Sequence, residues 1–318
     1  MSAPVASILI PCRNAAHWLN ATLESAVGQT GVPTEIIVVD DGSTDGSREL
    51  VQSWTSRGVR LLTQSALGAS AARNHALAQS RAPWVQFLDA DDLLGPDKIA
   101  RQLFTLGAAP SGTVASASWG RFAHEAPPES AVFADSAVER DYSPATDFLV
   151  QQAETGSMMH PAAWLCPRSL LDQAGPWNDR LSLNDDGEYF TRVLCRSSGI
   201  RYVPGARTFY RSGRSGSLSR TRRQDALRSL HESVALSVTE LLATTDSPRV
   251  RQAVAELWGR TRFELYPEAT ALSADAARQA RRWGRPQTRL PCGPRLRWLV
   301  ALGGWKLARH LQVRFRRA

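Results

Sequence analysis

Along the first hundred positions, short apolar runs alternate with stretches whose apolar residues keep helical spacing. Residues 6–11 (ASILIP) and 35–39 (EIIVV) are near-continuous apolar runs, the pattern of strands buried on both faces. Between them Leu19, Leu23, Ala26 and Val27 share one helical face, and residues 45–54 repeat that spacing after the second run, with Asp45 placed to start a helix. The alternation continues with a strand over 59–62, an Ala-rich helix over 69–79, a strand over 84–88 and a helix over 96–106 opened by Pro96. Strands separated by helices of this length predict an α/β fold, a doubly wound and mostly parallel sheet with helices on both faces. A further strand is predicted over 113–117, followed by a Pro- and Ala-rich stretch to about residue 143 that reads as a loop or acceptor-side insertion. Helical patterns return over 167–173 and 185–195, then strand-like segments over 200–203 and 207–211. From Gln224 onward the pattern is helical, broken near Ser247-Pro248, Tyr266-Pro267 and residues 284–294. The organisation predicted is an α/β body over 1–215 and a helical C-terminal region over 216–318.

Composition narrows the picture. With 318 residues, 43% hydrophobic and 21% charged, the chain can bury a full core, and a disordered or collagen-like reading is excluded. No apolar run approaches the roughly 20 residues of a membrane-spanning helix, and the first residues lack the pattern of a signal peptide, so a soluble cytoplasmic protein is expected. Cys12, Cys166, Cys195 and Cys292 show neither a pairing rhythm nor metal-ligand spacing. The net charge of +8 is unevenly spread: residues 276–318 hold 12 of the 38 basic residues and none of the 30 acidic ones, leaving a body of net charge −4. A mildly acidic body with a cationic tail argues against a nucleic-acid binder and for a separate tethering or packing segment. Within that tail Leu296, Val300, Leu307 and Leu311 recur at helical multiples among Arg295, Arg297, Lys306, Arg309, Arg314, Arg316 and Arg317. Such a helix suits the headgroup region of an anionic membrane, or equally a packing site on its own body or a second subunit.

In an open parallel sheet, ligands bind outside the carboxyl ends of the strands. Asp40 and Asp41 follow the second strand there, and Asp89, Asp91 and Asp92 follow the strand over 84–88. Clustered carboxylates repel one another and are relieved by a hard divalent cation or by donors from a ligand; alternatively they serve the helix opened at Pro96. Nucleotide phosphates suit such a site, since Mg²⁺ and Mn²⁺ take few protein oxygens and complete their shell with phosphate and water. No GxGxxG or P-loop lysine motif is present. Residues 68–74 (GASAARN) bring small residues and one guanidinium, Arg73, near a diphosphate or else onto a solvated face. A second acidic cluster, Asp185, Asp186 and Glu188, opens the helix over 185–195, as reacting groups or as complements to its dipole.

Taken in order, Ile10-Pro11-Cys12-Arg13-Asn14, the run from Val38 to Ser47, Ala71-Ala72-Arg73-Asn74, Asp89-Ala90-Asp91-Asp92 and the run from Asn184 to Arg192 resemble the signatures of family 2 glycosyltransferases over roughly residues 5–215. The resemblance implies a GT-A fold. It implies that Pro11 and Arg13 line the nucleotide pocket, Asp41 hydrogen-bonds the base, Arg73 lies on the nucleotide side and Asp89 contacts the ribose or the metal shell. Asp91 would ligate Mn²⁺ or Mg²⁺, and Asp186 would be the catalytic base, with Asp185 standing where the family usually has Glu. Arg13 replaces a frequent aromatic residue. His160, Trp164 and Trp177, with Asp185, fall where the family builds its acceptor side, although an isolated Trp or His in this composition serves a core more often than a ligand; the segment Tyr210-Arg211-Ser212-Gly213-Arg214-Ser215 offers Arg and Ser to the diphosphate or is a basic loop. The activity implied is inverting, metal-dependent transfer from a nucleotide-diphosphate sugar to a hydroxyl of a glycan or lipid-linked acceptor, in cell-surface polysaccharide synthesis at the inner face of the plasma membrane. A single base together with a metal suffices for such a displacement, whereas a glycosidase needs two facing carboxyls. The alternatives are a nucleotidyltransferase, which would need a Gly-rich basic loop after the first strand, and a non-catalytic nucleotide-sugar or membrane scaffold.

Overall fold

A computed structural model describes residues 3–107, 109, 111–213, 222–287 and 294–317. The chain opens with β1 (Ala6–Cys12), α1 (Ala16–Val27), β2 (Thr34–Asp41), α2 (Ser47–Ser53), β3 (Val59–Gln64), α3 (Ala69–Gln79) and β4 (Trp84–Phe87). These strands lie in the order β3-β2-β1-β4, all parallel, and the short β7 (Cys166–Pro167) adds an antiparallel edge beside β4. Period-two alternation divides the strands between two cores. Leu9, Ile37, Val39 and Phe87 face one side, while Ile8, Ile10, Ile36 and Val38 face the other, packed with Leu19 and Leu23 of α1. Burial on both faces is why the sequence shows apolar runs here in place of alternation.

A second sheet covers the carboxyl side of β4. It contains β5 (Leu93–Leu94), β6 (Thr113–Ala123) and β8 (Gly199–Ser212) in the order β5-β8-β6, joined to the first layer by α4 (Lys98–Leu106). The strand expected over 113–117 therefore runs six residues further and leaves the main sheet. The two strand-like segments after residue 199 are one strand, interrupted by an irregularity in register where Val203 pairs with Ala117 and Arg207 with Ser118. Inside the stretch read as a loop, Arg121 and Val132 form an isolated bridge.

Helices α5 (Thr146–Thr155), α6 (Arg168–Ala174) and α7 (Asp185–Arg196) stand on the face carrying Phe87. The C-terminal α8 (Gln224–Thr244), α9 (Pro248–Leu265) and α10 (Thr270–Trp283) extend the same core, contributing Leu227, Val234, Val254 and Trp258. The boundary near residue 215 falls within 214–221, outside the described residues. The last helix, α11 (Pro294–Arg317), is broken at Gly304, where φ is +75°. Beyond the break the docking face is not the one named by Leu307: Leu307 is exposed and Leu311 partly buried, while Ala308, Arg309 and Val313 are buried. Trp305 lies against Phe263 and Tyr266, and the Arg309 guanidinium donates to a Glu264 carboxylate oxygen at 2.8 Å and to the Tyr266 carbonyl at 3.2 Å. This half of the tail thus packs on its own chain. The side chains of Arg295, Leu296, Arg297, Trp298, Arg316 and Arg317 lie outside the described residues. Among the described residues, no helix is long and apolar enough to cross a membrane.

Candidate active site

The strand order reverses between β1 and β4, and a crevice at such a point is where an open α/β sheet takes its ligand. Pro11 and Cys12 end β1 and Asp40-Asp41 end β2. Their loops are knitted together by side chains: the Asn14 N–H donates to Ser43 Oγ at 3.0 Å, the Ala15 N–H to Ser47 Oγ at 2.9 Å and the Ala16 N–H to Asp45 Oδ2 at 3.0 Å, while Asn14 Oδ1 accepts the Thr44 N–H at 2.8 Å. Asp45 thus satisfies the first turn of α1 across the crevice as well as the start of its own helix, where it accepts the Ser47 N–H at 3.1 Å. Its hydrogen bonds outweigh the burial that would raise its pKa and hold the carboxyl below its ordinary value.

Asp41 is buried, and its carboxylate folds the next loop inward. Oδ1 accepts the Leu67 N–H at 2.7 Å and Gln64 Nε2 at 2.8 Å, and Oδ2 accepts the Gly68 N–H at 2.9 Å. Gly68 has φ +98°, a conformation glycine adopts without strain. Arg13 stands over this group with Nη1 3.8 Å from Asp41 Oδ2, and its side chain is half exposed. Asp40 instead points toward α2, held by both Nε and Nη2 of Arg48 at 2.9 Å.

At the centre lies Arg73 of α3. Its Nη2 donates to Asp89 Oδ1 at 2.8 Å and its Nη1 to Asp185 Oδ2 at 2.9 Å, an oxygen that also accepts the Ser70 hydroxyl at 2.9 Å. One guanidinium therefore joins the acidic loop after β4 to the first turn of α7, which lies 112 residues beyond Arg73 in the chain. Burial disfavours the charge of Arg73, yet the three carboxylates of Asp89, Asp185 and Asp186 outweigh it and raise its pKa. The guanidinium lies 4.5 Å over the Trp177 ring, which stacks on Tyr189 at 4.0 Å. Asn74, on the same helix, fixes Trp177 through its backbone, accepting the Trp177 N–H at 2.8 Å and donating to its carbonyl at 2.9 Å. Arg192, one turn beyond the acidic cluster, holds Glu188 through Nε at 2.7 Å and donates to the carbonyls of Ala174 and Pro176, securing the segment that carries Trp177.

Asp186 follows Asp185 at the opening of α7. Its Oδ1 accepts the Gly187 N–H at 2.9 Å. Burial, followed by the charge of Asp185, pushes its pKa up to about 6, against the pull of Arg73. Gly187 leaves room for the Asn184 side chain: a Cβ there would lie 2.5 Å from Asn184 Oδ1 and displace a side chain that donates from Nδ2 to Ser233 of α8 at 2.9 Å.

Asp91 is partly exposed, and its carbonyl accepts Arg211 Nε at 2.9 Å, while Arg211 Nη1 donates to the His124 carbonyl at 2.8 Å. Arg211 is thereby engaged with backbone and holds the acidic loop against β8; Arg214 and Ser215 lie outside the described residues. Among the described residues no group of three or more His, Cys, Asp or Glu could hold a metal by itself. The donors present, Asp89 and Asp91, fit a hard cation that takes one or two carboxylates and fills its shell from phosphate and water.

Asp92 and His160 form a buried pillar. Asp92 accepts the Arg211 N–H at 2.9 Å, His160 Nδ1 lies 3.2 Å from the Asp92 carboxylate, and Nε2 lies 2.8 Å from Thr208 Oγ1. Burial pushes the His160 pKa down to about 4, so the ring is neutral, and the pairing assigns its proton to Nδ1 with the Thr208 hydroxyl donating to Nε2. Of the acceptor-side expectations, Asp185 and Trp177 are brought to the centre with Arg73, Trp177 as the buried ring beneath the guanidinium. His160, Trp164 and Trp177 are 3%, 2% and 1% exposed and present no face to a sugar; Trp164 packs between Phe148 and Phe190. Aromatic surface that sequence reasoning missed lies beside them: Trp119 on β6 and Tyr210 on β8 are partly exposed, with the Arg121 guanidinium 5.7 and 5.4 Å from their rings. A period-two pattern over 119–121 was the available signal, masked by the Pro- and Ala-rich stretch after it.

Residues 7–175, just over half of the chain, match the family described as Glycosyl transferase family 2. Among curated proteins, the chain is 29% identical over 272 residues to the succinoglycan biosynthesis protein ExoU of Rhizobium meliloti, covering 81% of this chain and 76% of that protein. It is 36% identical over 103 residues to the putative teichuronic acid biosynthesis glycosyltransferase TuaG of Bacillus subtilis, covering 31% of this chain and 41% of that one. It is 37% identical over 98 residues, 30% of this chain and 39% of the other, to the UDP-Glc:alpha-D-GlcNAc-diphosphoundecaprenol beta-1,3-glucosyltransferase WfgD of Escherichia coli. The chain thus spans about two fifths of the length of the last two. Its fold is similar to that of Staphylococcus aureus TarS in complex with UDP, with a TM-score of 0.65 at 16% identity over 95% of this chain and 80% of that one. It is also similar to the mannosyltransferase PcManGT of Pyrobaculum calidifontis in complex with GDP-Man and Mn²⁺, with a TM-score of 0.57 at 20% identity over 98% of this chain and 84% of that one. The matched stretch holds the β1, β2 and β4 ends and Arg73, and with the architecture around them it shows that the chain belongs to glycosyl transferase family 2.

Proposed function

We propose that this protein is an inverting, metal-dependent glycosyltransferase. It moves a sugar from a nucleoside-diphosphate donor to a hydroxyl of a glycan or lipid-linked acceptor, in the synthesis of a cell-surface polysaccharide at the cytoplasmic face of the membrane. The reading rests above all on one observation: Asp186, its carboxyl raised to about 6, stands beside a guanidinium that also holds Asp185 and Asp89. A carboxylate with a raised pKa is a stronger base than an ordinary Asp and is still ionised near neutral pH, which suits removal of a proton from an acceptor hydroxyl. The names of ExoU, TuaG and WfgD, concerned with succinoglycan, teichuronic acid and a lipid-diphosphate-linked sugar, support the substrate class.

Each residue has a definable task. Pro11, Arg13 and the loop folded by Asp41 form the nucleotide side, where the half-exposed guanidinium of Arg13 is placed to lie against a base. Arg73 fixes the distance between the donor loop and α7, so that donor and base share one rigid frame. Asp89 and Asp91 would hold the divalent ion, which when bound supplies Lewis-acid stabilisation to the departing diphosphate. Asp186 accepts the proton of the attacking hydroxyl. With the acceptor hydroxyl deprotonated by Asp186 as the attacking group, and Asp89 and Asp185 engaged by Arg73, a single displacement with inversion follows.

The test is a thermal-shift comparison of UDP, GDP, dTDP and CDP, each with Mn²⁺, Mg²⁺ or EDTA, on the native protein and on Asp186→Asn. One nucleoside diphosphate is expected to stabilise both proteins, and only with metal. Its sugar conjugate is expected to be turned over by the native protein and not by the variant. Absence of any nucleotide shift, or undiminished turnover by Asp186→Asn, would sink the reading.

A further inference from the structure

Between the α/β body and the C-terminal helices lies a cavity of about 280 Å³, partly open to solvent, whose lining includes Asp186 and Gly187. Its walls come from α5, the segment after it, α7, α8 and α9; the larger part is aliphatic, with Leu149, Val234, Val238 and Leu257, and polar groups such as Gln152, Thr191 and Ser237 interrupt it. Among the described residues no aromatic ring lines it. That composition bears on what it holds. Sugars are gripped by aromatic faces and polar side chains, whereas aliphatic walls with two methionines, Met158 and Met159, suit a flexible saturated or isoprenoid chain. Arg260, also in the lining, donates to the Ala153 carbonyl at 3.1 Å and to the Glu154 carbonyl at 2.8 Å, capping the last turn of α5. Gly156 makes room for that cap, since a Cβ there would collide with the guanidinium.

From this we infer that the cavity is a binding site for the aliphatic chain of the acceptor, seating it so that the acceptor hydroxyl comes to Asp186. The inference rests on Asp186 as the base of the proposed transfer, and it gives α8 and α9 a role in choosing the acceptor. An apolar cavity of about 150 Å³ stays dry and accepts benzene, so by proportion this one holds roughly ten carbon atoms. Burying each methylene contributes about fourfold in affinity.

The experiment uses the full-length protein and a series of straight-chain alkan-1-ols from butanol to dodecanol, with dissociation constants measured by titration calorimetry or ligand-observed NMR. Affinity is expected to rise about fourfold per added methylene and to level off near ten carbons. Val238→Phe, which fills the cavity, is expected to bring the plateau to shorter chains, and Leu257→Ala, which enlarges it, to longer ones. Affinity that does not depend on chain length overturns the inference, as does a plateau that neither variant moves, which would place alkanol binding elsewhere. Neither readout uses a nucleotide or a turnover. A protein that binds a nucleoside diphosphate with metal but no alkanol refutes the chain site alone, and one that shows the chain-length series without any nucleotide binding refutes the transferase reading alone.

Discussion

Asp186 carries a cost that its proposed task explains. Burial and the neighbouring Asp185 disfavour its ionised form, and its pKa is raised from 3.8 to about 6. A group whose folded pKa lies above its unfolded one loses stability as pH rises between the two values. Replacing Asp186 by Asn, which cannot ionise, is therefore expected to stabilise the fold by up to about 3 kcal/mol at pH 7. The gain should shrink as pH falls through 6 and vanish below about pH 4, as read from urea unfolding across that range. Transfer by the native protein should fall tenfold per unit below about pH 6, where the base takes up its proton, and a flat profile from pH 5 to 7 would argue against Asp186 as base. The residues that sequence alone made visible were those whose charge has no cheap structural use: Arg73, Asp89 and Asp186 all meet at the centre. His160, Trp164 and Trp177 were ambiguous for the opposite reason, and their burial matches the core alternative. An imidazole or indole serves a core as readily as a ligand, and which it does depends on neighbours distant in the chain, here Asp92, Phe148 and Arg73.

At the level of elements, the parallel sheet was legible because its strands are buried on both faces and their apolar runs are unbroken. The second sheet was not, because β6 and β8 pair across 86 residues of chain and carry exposed polar positions that resemble loop. The cross-capping of α1 by the loop after β2 was likewise hidden, since Asp45 reads as a start signal for the helix that follows it. Asp45→Ala leaves the Ala16 N–H and Ser47 N–H without their acceptor. The expected loss is about 1–2 kcal/mol of stability, with a loss of nucleotide affinity as well, because Asp45 ties the start of α1, which follows directly on Arg13 and Asn14, to the loop after β2. Unfolding midpoints and a nucleotide titration on one sample separate the two effects. Asn74→Ala unpairs both backbone groups of Trp177 and is expected to cost about 1–3 kcal/mol. It should weaken donor binding as well, through the ring on which Arg73 rests.

For the whole molecule, the question is what the cationic tail is for. The body has a net charge of −4, and an unattached helix rich in Arg would be drawn to any anionic surface, its own body included. The half after Gly304 takes that second course. Arg309 is fully buried, its guanidinium shared between Glu264, Gln312 and the Tyr266 carbonyl and lying 4.7 Å from the Phe263 ring centre. A charge in such a place is tolerated only with its partners, and the remaining partner, Glu264, is 37% exposed and also holds Arg222 at 3.0 Å. Removing the guanidinium therefore strands a carbonyl and packing surface more than it strands a charge. Arg309→Ala is expected to destabilise the chain by about 2–3 kcal/mol, and Arg309→Met by less, since the longer side chain keeps contact with Phe263. Equal losses would mean that the charge pair, and not the packing, secures the helix. The docking seam lies on α9, whose other end lines the cavity beside Asp186. Loosening it with Arg309→Ala should thus raise amide exchange along α9 toward Leu257 while leaving exchange in β1 and β2 unchanged, a pattern that hydrogen-exchange mass spectrometry resolves.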